Sequence, residues 1–506
     1  MDHGTDRRTM LRRTLLKGAI VGAGIACIPG FGAGREARAA LPSGAPARRV
    51  LILNFTLGIR SSAAFYASSK KRYNPYGLIQ GDLPFPVGAF LDDCIPSFGE
   101  APVPDSAYLL PGAWNGLSVL RMRDFARAEG FSVVGSWDPG RGDHTRDESV
   151  CATGSAEPSG IGILSRIYAG LAGASSPTDA PGFHLHPRVP FGRAPHFLSE
   201  HTPIAVSGAK ALPGSRPSPV DQNDVRARTG HDWSRDATWR TRFDRGIAAR
   251  RSGSNGAAAA TMEHLRASGA TVGPALANWV NVANPNKHSE ARGTVDISPD
   301  RSGHMVPLTN QMLFDAFTRA VDDPNQQSLI DAAVDLGMAV RLLQLGSRAV
   351  TVEIDGFDSH FQEFRTCRAL YRAVGRFWPT IHFVLSRVAD PLLPGKSLLD
   401  TTLVCTTSDF GRDPGSDETG FSAGEGTDHG NDPSCYYLAH ACMGAGLRGG
   451  RVLSAPSTDD YRADKIAERY APDQFLAMVL SAMGLDAANP NYGFPAVSDP
   501  IRRLFG

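Results

Sequence analysis

Val350-Thr-Val-Glu-Ile-Asp-Gly-Phe-Asp-Ser-His360 is the stretch whose reading decides the fold. Its first half closes a short β-branched, apolar run over 349–354, the pattern of a strand buried on both faces of a parallel sheet. Its second half is a glycine turn carrying a carboxylate and an imidazole, Asp358 and His360, one residue apart. In extended backbone these two side chains point to one side and can share an ion. Two later segments add similar groups. Thr406-Thr-Ser-Asp-Phe-Gly-Arg412 follows a second apolar run over 401–407, and Gly426-Thr-Asp-His-Gly430 lies beyond it. In open α/β sheets ligands sit beyond the strand C-termini. Hard oxygens and borderline nitrogens delivered there from several loops suit a divalent cation such as zinc, manganese or calcium. The expectation is therefore a metal site drawn from Asp358, His360, Asp409, Asp428 and His429. Taken singly, each has an ordinary alternative: a loop pair bonded to backbone, a helix N-cap at Asp409, a tight loop permitted by glycine at 428–429.

Outward from that stretch, strands are expected at 49–55, 131–135, 349–354, 401–407 and near 436–441. Helices are expected over 117–129, 160–171, 326–345, 361–388 and 472–483. In 326–345 the spacing of Leu329, Ala332, Ala333, Leu336 and Val340 is helical. Strands alternating with helices predict an α/β fold with a mostly parallel central sheet and helices on both faces. Residues 172–325 are rich in Pro, Gly and Arg and read as a helical/loop insertion or cap, with helices around 236–250, 257–268 and 310–321. The polar run Asp143-His-Thr-Arg-Asp-Glu-Ser149 reads as a loop after the second strand, a setting where α/β enzymes place catalytic groups. Arg412 has two readings: a bidentate clamp for phosphate or sulfate, or a salt bridge to a ligating carboxylate.

The N-terminus reads as a targeting segment. Arg12-Arg13-Thr-Leu-Leu-Lys17 has the twin-arginine form, a mild apolar run over 19–31 follows, and Ala37-Arg-Ala39 suits cleavage. This divides the chain into a signal peptide (1–39), a linker (40–48) and one domain (49–506), exported to the periplasm or beyond by the twin-arginine translocase. The leader holds seven of the 52 basic and three of the 51 acidic residues, leaving 45 against 48 and a net charge of −3. That balance gives no footprint for nucleic acid. No later apolar run is long enough to span a bilayer. The six cysteines beyond the leader form no CxxC pair, which argues against a cysteine zinc site and leaves a Cys435–Cys442 disulfide open.

The triple Gly356-Phe-Asp-Ser-His360, Thr407-Ser-Asp-Phe-Gly-Arg412 and Gly426-Thr-Asp-His-Gly430 resembles the bacterial family called domain of unknown function 1501, placed in the alkaline-phosphatase/sulfatase superfamily. The likeness extends to the twin-arginine leader, a glycine turn after the first strand (55–62), the Asp143-His144 element and a C-terminal helix. It implies an alkaline-phosphatase-like fold in which Asp358, His360, Asp428 and His429 match metal positions. Asp409 stands where the family more often has Glu, and Phe410 where true phosphatases have a second-site His. The first strand lacks the usual Asp ligand, and Asn54 is the nearest oxygen. Reading Thr153-Gly154 onto the Thr-Gly after the phosphatase nucleophile makes Thr145 the hydroxyl and His144 the acid/base or a ligand. The alternative for His144 is a polar loop group held by Asp143 or Asp147.

The leading expectation is an exported metallohydrolase of small phosphate or sulfate esters or related anions. The alternative is a catalytically degenerate binding or surface-assembly protein that keeps its metal for stability. A serine esterase at Ser422, in Gly420-Phe-Ser-Ala-Gly424, is a minor third, since no apolar strand precedes that motif.

Overall fold

The computed structural model describes residues 47–92, 108–156, 162–172, 182–185, 204–206, 288–321, 326–360, 362–412 and 432–497. All of them belong to one compact unit, Ala39–Ala209 with Lys287–Gly506. Its sheet strands, in chain order, are β1 (Arg49–Phe55), β2 (Ser132–Trp137), β3 (Phe183–Leu185), β4 (Ile204–Val206), β5 (Ala349–Ile354), β6 (Thr402–Ser408), β7 (Tyr437–Met443) and β8 (Val452–Leu453). The helices used below are α1 (Met122–Arg127), α2 (His144–Thr153), α3 (Ile163–Ala172), α4 (Asn310–Thr318), α5 (Gln327–Gln344), α6 (Glu363–Arg387), α7 (Leu398–Thr401) and α8 (Pro472–Ala482).

The eight strands lie in the order β8-β2-β7-β6-β1-β5-β3-β4. Every pairing is parallel except the two made by β7. The expected α/β class with a mostly parallel sheet is therefore present. β1 sits at the centre, and all its residues but Asn54 are buried. Alternation along it splits the core in two. Val50 and Ile52 join Leu403, Cys405 and Ala349 under α3 and α8, where Phe475, Leu476 and Val479 pack. The opposite face is aromatic: Phe55 meets Phe65 and Phe357, and Phe65 meets Trp378 of α6. A sheet covered on both sides requires apolar runs in its central strands, which is why β1, β5 and β6 stand out in the sequence.

Two expectations are corrected. Residues 117–129 are not one helix: Ser118–Val119 pairs antiparallel with Tyr108–Leu109, and only Met122–Arg127 is helical. Asn115 and Gly116, both at positive φ (57° and 71°), end the turn at Gly112–Trp114 and bring the chain back antiparallel into Ser118–Val119. Secondly, the polar run at 143–149 is not a loop but the first turns of α2. Asp143 caps it, its carboxylate accepting from the Arg146 N–H, and the buried Asp147 accepts from the Gly142 and Asp143 N–H groups. Gly154, at φ +78°, closes the helix in the left-handed region. Within 172–325, β3 and β4 extend the sheet edge, and Ala291–Asp296 pairs antiparallel with Met305–Thr309 ahead of α4. The helices expected at 236–250 and 257–268 lie outside the described residues. Cys435 and Cys442 are buried thiols, not a disulfide.

Candidate functional site

Because β1, β2, β5 and β6 run parallel, their C-terminal ends open to the same edge of the sheet, and each delivers one part of a polar cluster. β5 continues into the loop with Asp358 and His360. β6 continues into Asp409 and Arg412. β2 leads to α2, whose first residue is His144. β1 ends in a backbone turn, Leu57-Gly58, where both residues have positive φ (72° and 83°).

His144 is the centre of this cluster. Its Nδ1 lies 3.1 Å from Asp409 Oδ2, and its Nε2 lies 3.6 Å from Asp358 Oδ1. Asp358 Oδ1 also meets His360 Nε2 at 3.1 Å and accepts from the Arg412 guanidinium at 3.2 Å. The His144 ring packs on Phe410, centroids 4.8 Å apart. His144 is thus held by Asp409 and Asp358, neither of which is the Asp143 or Asp147 partner expected for a loop histidine. Burial alone would lower the His144 pKa, but the Asp409 hydrogen bond and charge, with the charge of Asp358, raise it above the ordinary value. For Asp358 burial pushes the other way, and Arg412, His144 and His360 hold its carboxyl below the usual range.

Arg412 is fully buried. Beside Asp358, its guanidinium donates to the Leu57 carbonyl at 2.8 Å and the Ser359 carbonyl at 3.1 Å. Through these contacts one side chain ties the β1, β5 and β6 loops together as a brace. The turn is held from the other side as well. Leu57 N–H donates to Asp409 Oδ2 at 3.1 Å, and Ile59 N–H to Ser408 Oγ at 2.9 Å.

A Cβ on Gly58 would fall inside the Phe410 ring edge and against the Arg412 side chain. Gly58→Ala therefore combines a left-handed backbone with a steric push on the residue that backs His144. Urea unfolding is expected to show a loss of at least about 1–2 kcal/mol, the cost of the left-handed conformation alone for a residue bearing Cβ. A change within about 0.5 kcal/mol, as at an ordinary surface site, would mean the turn is not constrained as described.

Of the expected metal donors, Asp358, His360 and Asp409 are brought to this one edge, with His144 linking the two carboxylates. Asp428 and His429 lie outside the described residues. Among the described residues no group of three His, Cys, Asp or Glu side chains is placed to hold a metal ion. Thr145 follows His144 in the first turn of α2; its side chain is outside the description.

Beside the cluster lies a second polar layer, of which the sequence pointed only to Asn54. Asn54 is in register with Thr407 and Glu353 across the three central strands. The buried Cys151 thiol of α2 donates to Asn54 Oδ1 at 3.3 Å and lies 3.0 Å from Thr407 Oγ1, while Glu353 Oε1 contacts His184 Nε2 at 2.6 Å. A glutamate inside the run Val350-Thr-Val-Glu-Ile354 was the available signal.

These features define an α/β protein whose parallel strand ends assemble a histidine–carboxylate centre braced by a buried arginine. Over residues 126–499 the chain matches the family described as "protein of unknown function (DUF1501)", and it belongs to that family. No curated protein and no solved structure matches it.

Proposed function

We propose that the protein is an exported, metal-assisted hydrolase of phosphate or sulfate esters or related small anions. The observation carrying this reading is the His144 imidazole set between Asp409 and Asp358 at the C-terminal edge of a parallel sheet. An imidazole in reach of two carboxylates in that position suits proton transfer to and from a substrate oxygen. The donor chemistry also suits a divalent cation, since Asp358 and His360 offer a carboxylate oxygen and an imidazole nitrogen 3.1 Å apart on one loop. Asp358, His360, Asp409, Asp428 and His429 would hold it. When bound, the cation would polarise the ester and make water more acidic. His144 would move the proton, Thr145, the next residue in the chain, would supply a hydroxyl, and Arg412 would keep Asp358 and the Leu57 turn in place.

The finer parts of the reading belong together. They are an alkaline-phosphatase-like fold with an insertion at 172–325, a twin-arginine signal, and a periplasmic or extracellular site of action. Among the described residues no helix is long and apolar enough to cross a membrane.

Elemental analysis of protein purified without chelator, paired with aryl phosphate, phosphodiester and aryl sulfate substrates, tests the proposal. Turnover that depends on a bound divalent cation supports it. A metal-free protein inert with all three substrates and with added zinc, manganese or calcium removes it. A second reading draws on Asp358 being already contacted by Arg412 and two imidazoles: a catalytically silent binding or surface-assembly protein stabilised by its metal. In that case chelation lowers the melting temperature while no substrate turns over.

A further inference from the structure

We infer that Asp409 is a positioning residue: its Oδ2 receives the Nδ1–H of His144 and so fixes the ring tautomer in which Nε2 handles protons at the Asp358 side of the cluster. What Nε2 does rests on the hydrolase reading above; how the ring is held does not.

Asp409 Oδ2 accepts the Leu57 backbone N–H at 3.1 Å and faces His144 Nδ1 at the same distance. The carboxylate is almost wholly buried, with 1% of its side chain exposed, whereas the imidazole is 23% exposed. A buried carboxylate behind an imidazole is the arrangement in which an acid orients a base, and here the far nitrogen, Nε2, is itself enclosed on the Asp358 side. Oδ2 already serves as an acceptor for the Leu57 N–H, and the ring nitrogen facing that acceptor is the donor. The oxygen itself has little room to turn. The Leu57 N–H that fixes it belongs to a left-handed turn, an unfavourable conformation for leucine that persists where its surroundings over-determine it. Here Arg412 holds the Leu57 carbonyl and Ser408 holds the next amide but one. On the other edge of the ring, Nε2 stands 3.6 Å from Asp358 Oδ1, beyond hydrogen-bond length and toward the point where Asp358 meets His360.

In the reaction this tautomer serves both halves. The Nε2 lone pair takes the proton of the attacking hydroxyl or water as that oxygen bonds to phosphorus or sulfur. The imidazolium then faces the Asp409 carboxylate, and its Nε2–H passes to the leaving oxygen as the ester bond breaks.

The test is the tautomer itself, read by nitrogen-15 imidazole spectra of the full-length protein at alkaline pH. His144 is assigned among the 14 histidines by the signal lost in His144→Gln. The expected result is a neutral ring protonated on Nδ1 in the wild type, replaced by the Nε2–H form or a mixture in Asp409→Asn. The variant, with its metal content measured alongside, should lose kcat with KM little changed and be partly rescued by Asp409→Glu. An Nε2–H ring in the wild type overturns the inference and needs no variant that folds. So does loss of bound cation in Asp409→Asn with the tautomer unchanged, which would make Asp409 a ligand only. If the tautomer is as stated and no ester is turned over, the positioning role stands and the hydrolase reading falls.

Discussion

Asp390→Ala is expected to lower the unfolding free energy by about 3–5 kcal/mol, the range for breaking one side of a buried ion pair. Its partner, Arg49, opens β1, and neither side chain is exposed. The pair is bidentate: the two terminal guanidinium nitrogens reach the two Asp390 oxygens at 2.8 and 3.0 Å. Arg49 Nε donates to the Leu343 carbonyl, and Thr401, at the end of α7, donates its hydroxyl to Asp390 at 2.6 Å. These contacts pin the start of the central strand to α5 and α7. Truncating Asp390 leaves a guanidinium in the core with its charge unmatched, which is costlier than losing the pair as a whole. Arg49→Met combined with Asp390→Leu should therefore recover much of the loss, since replacing both partners by apolar groups is often near neutral.

The pH dependence has a definite sign. Burial alone would raise the Asp390 pKa, but the Arg49 hydrogen bond and charge, with Thr401, hold it below the ordinary carboxylate value. A carboxylate depressed in the folded state contributes stability above its unfolded pKa of about 3.9 and loses it as pH falls through the folded value. Denaturant melts of wild type and Asp390→Ala should thus be furthest apart above about pH 4 and converge below it. A separation under about 1 kcal/mol at neutral pH, the scale of an exposed pair, would show that the pair is not buried as described.

How much of this could be read from residues alone follows from what holds each element. β1, β5 and β6 are legible because burial on both faces leaves apolar runs. α2 is not, because its first turns are polar and are held by the Asp143 cap and the buried Asp147 carboxylate instead of an apolar stripe. Asp358 and His360 are legible as a pair, being one residue apart on one loop. That His144 reaches them is not, because β2 is separated from β6 by the antiparallel β7. The brace at Arg412 and the Leu57 turn are hidden for a different reason: they act through backbone N–H and C=O groups, which no side-chain pattern encodes. The same limit explains Asp409. Its residue type suggests a ligand or a cap, while its contacts are a backbone amide and a histidine.

His144→Gln is the substitution expected to cost most in function. On the hydrolase proposed above, it should reduce kcat by about 10²–10⁴-fold, the usual contribution of a positioned acid–base group. Glutamine keeps an amide able to bond Asp409 but cannot accept and return a proton near neutral pH. The fold should survive, because His144 is the first residue of α2 and the Asp143 cap, the Asp147 bonds and the Gly154 closure do not involve its ring. Far-ultraviolet circular dichroism and metal content matching the wild type, together with the lost turnover, would place the defect in proton transfer and not in assembly. A drop in kcat and kcat/KM by the same factor would mark an interaction made in the transition state, while a rise in KM alone would mark one made equally with bound substrate. Activity within a few-fold of wild type would remove His144 from the chemistry. The imidazole between Asp409 and Asp358 would then be a structural bridge across two strand ends, and the proton would have to travel through another group.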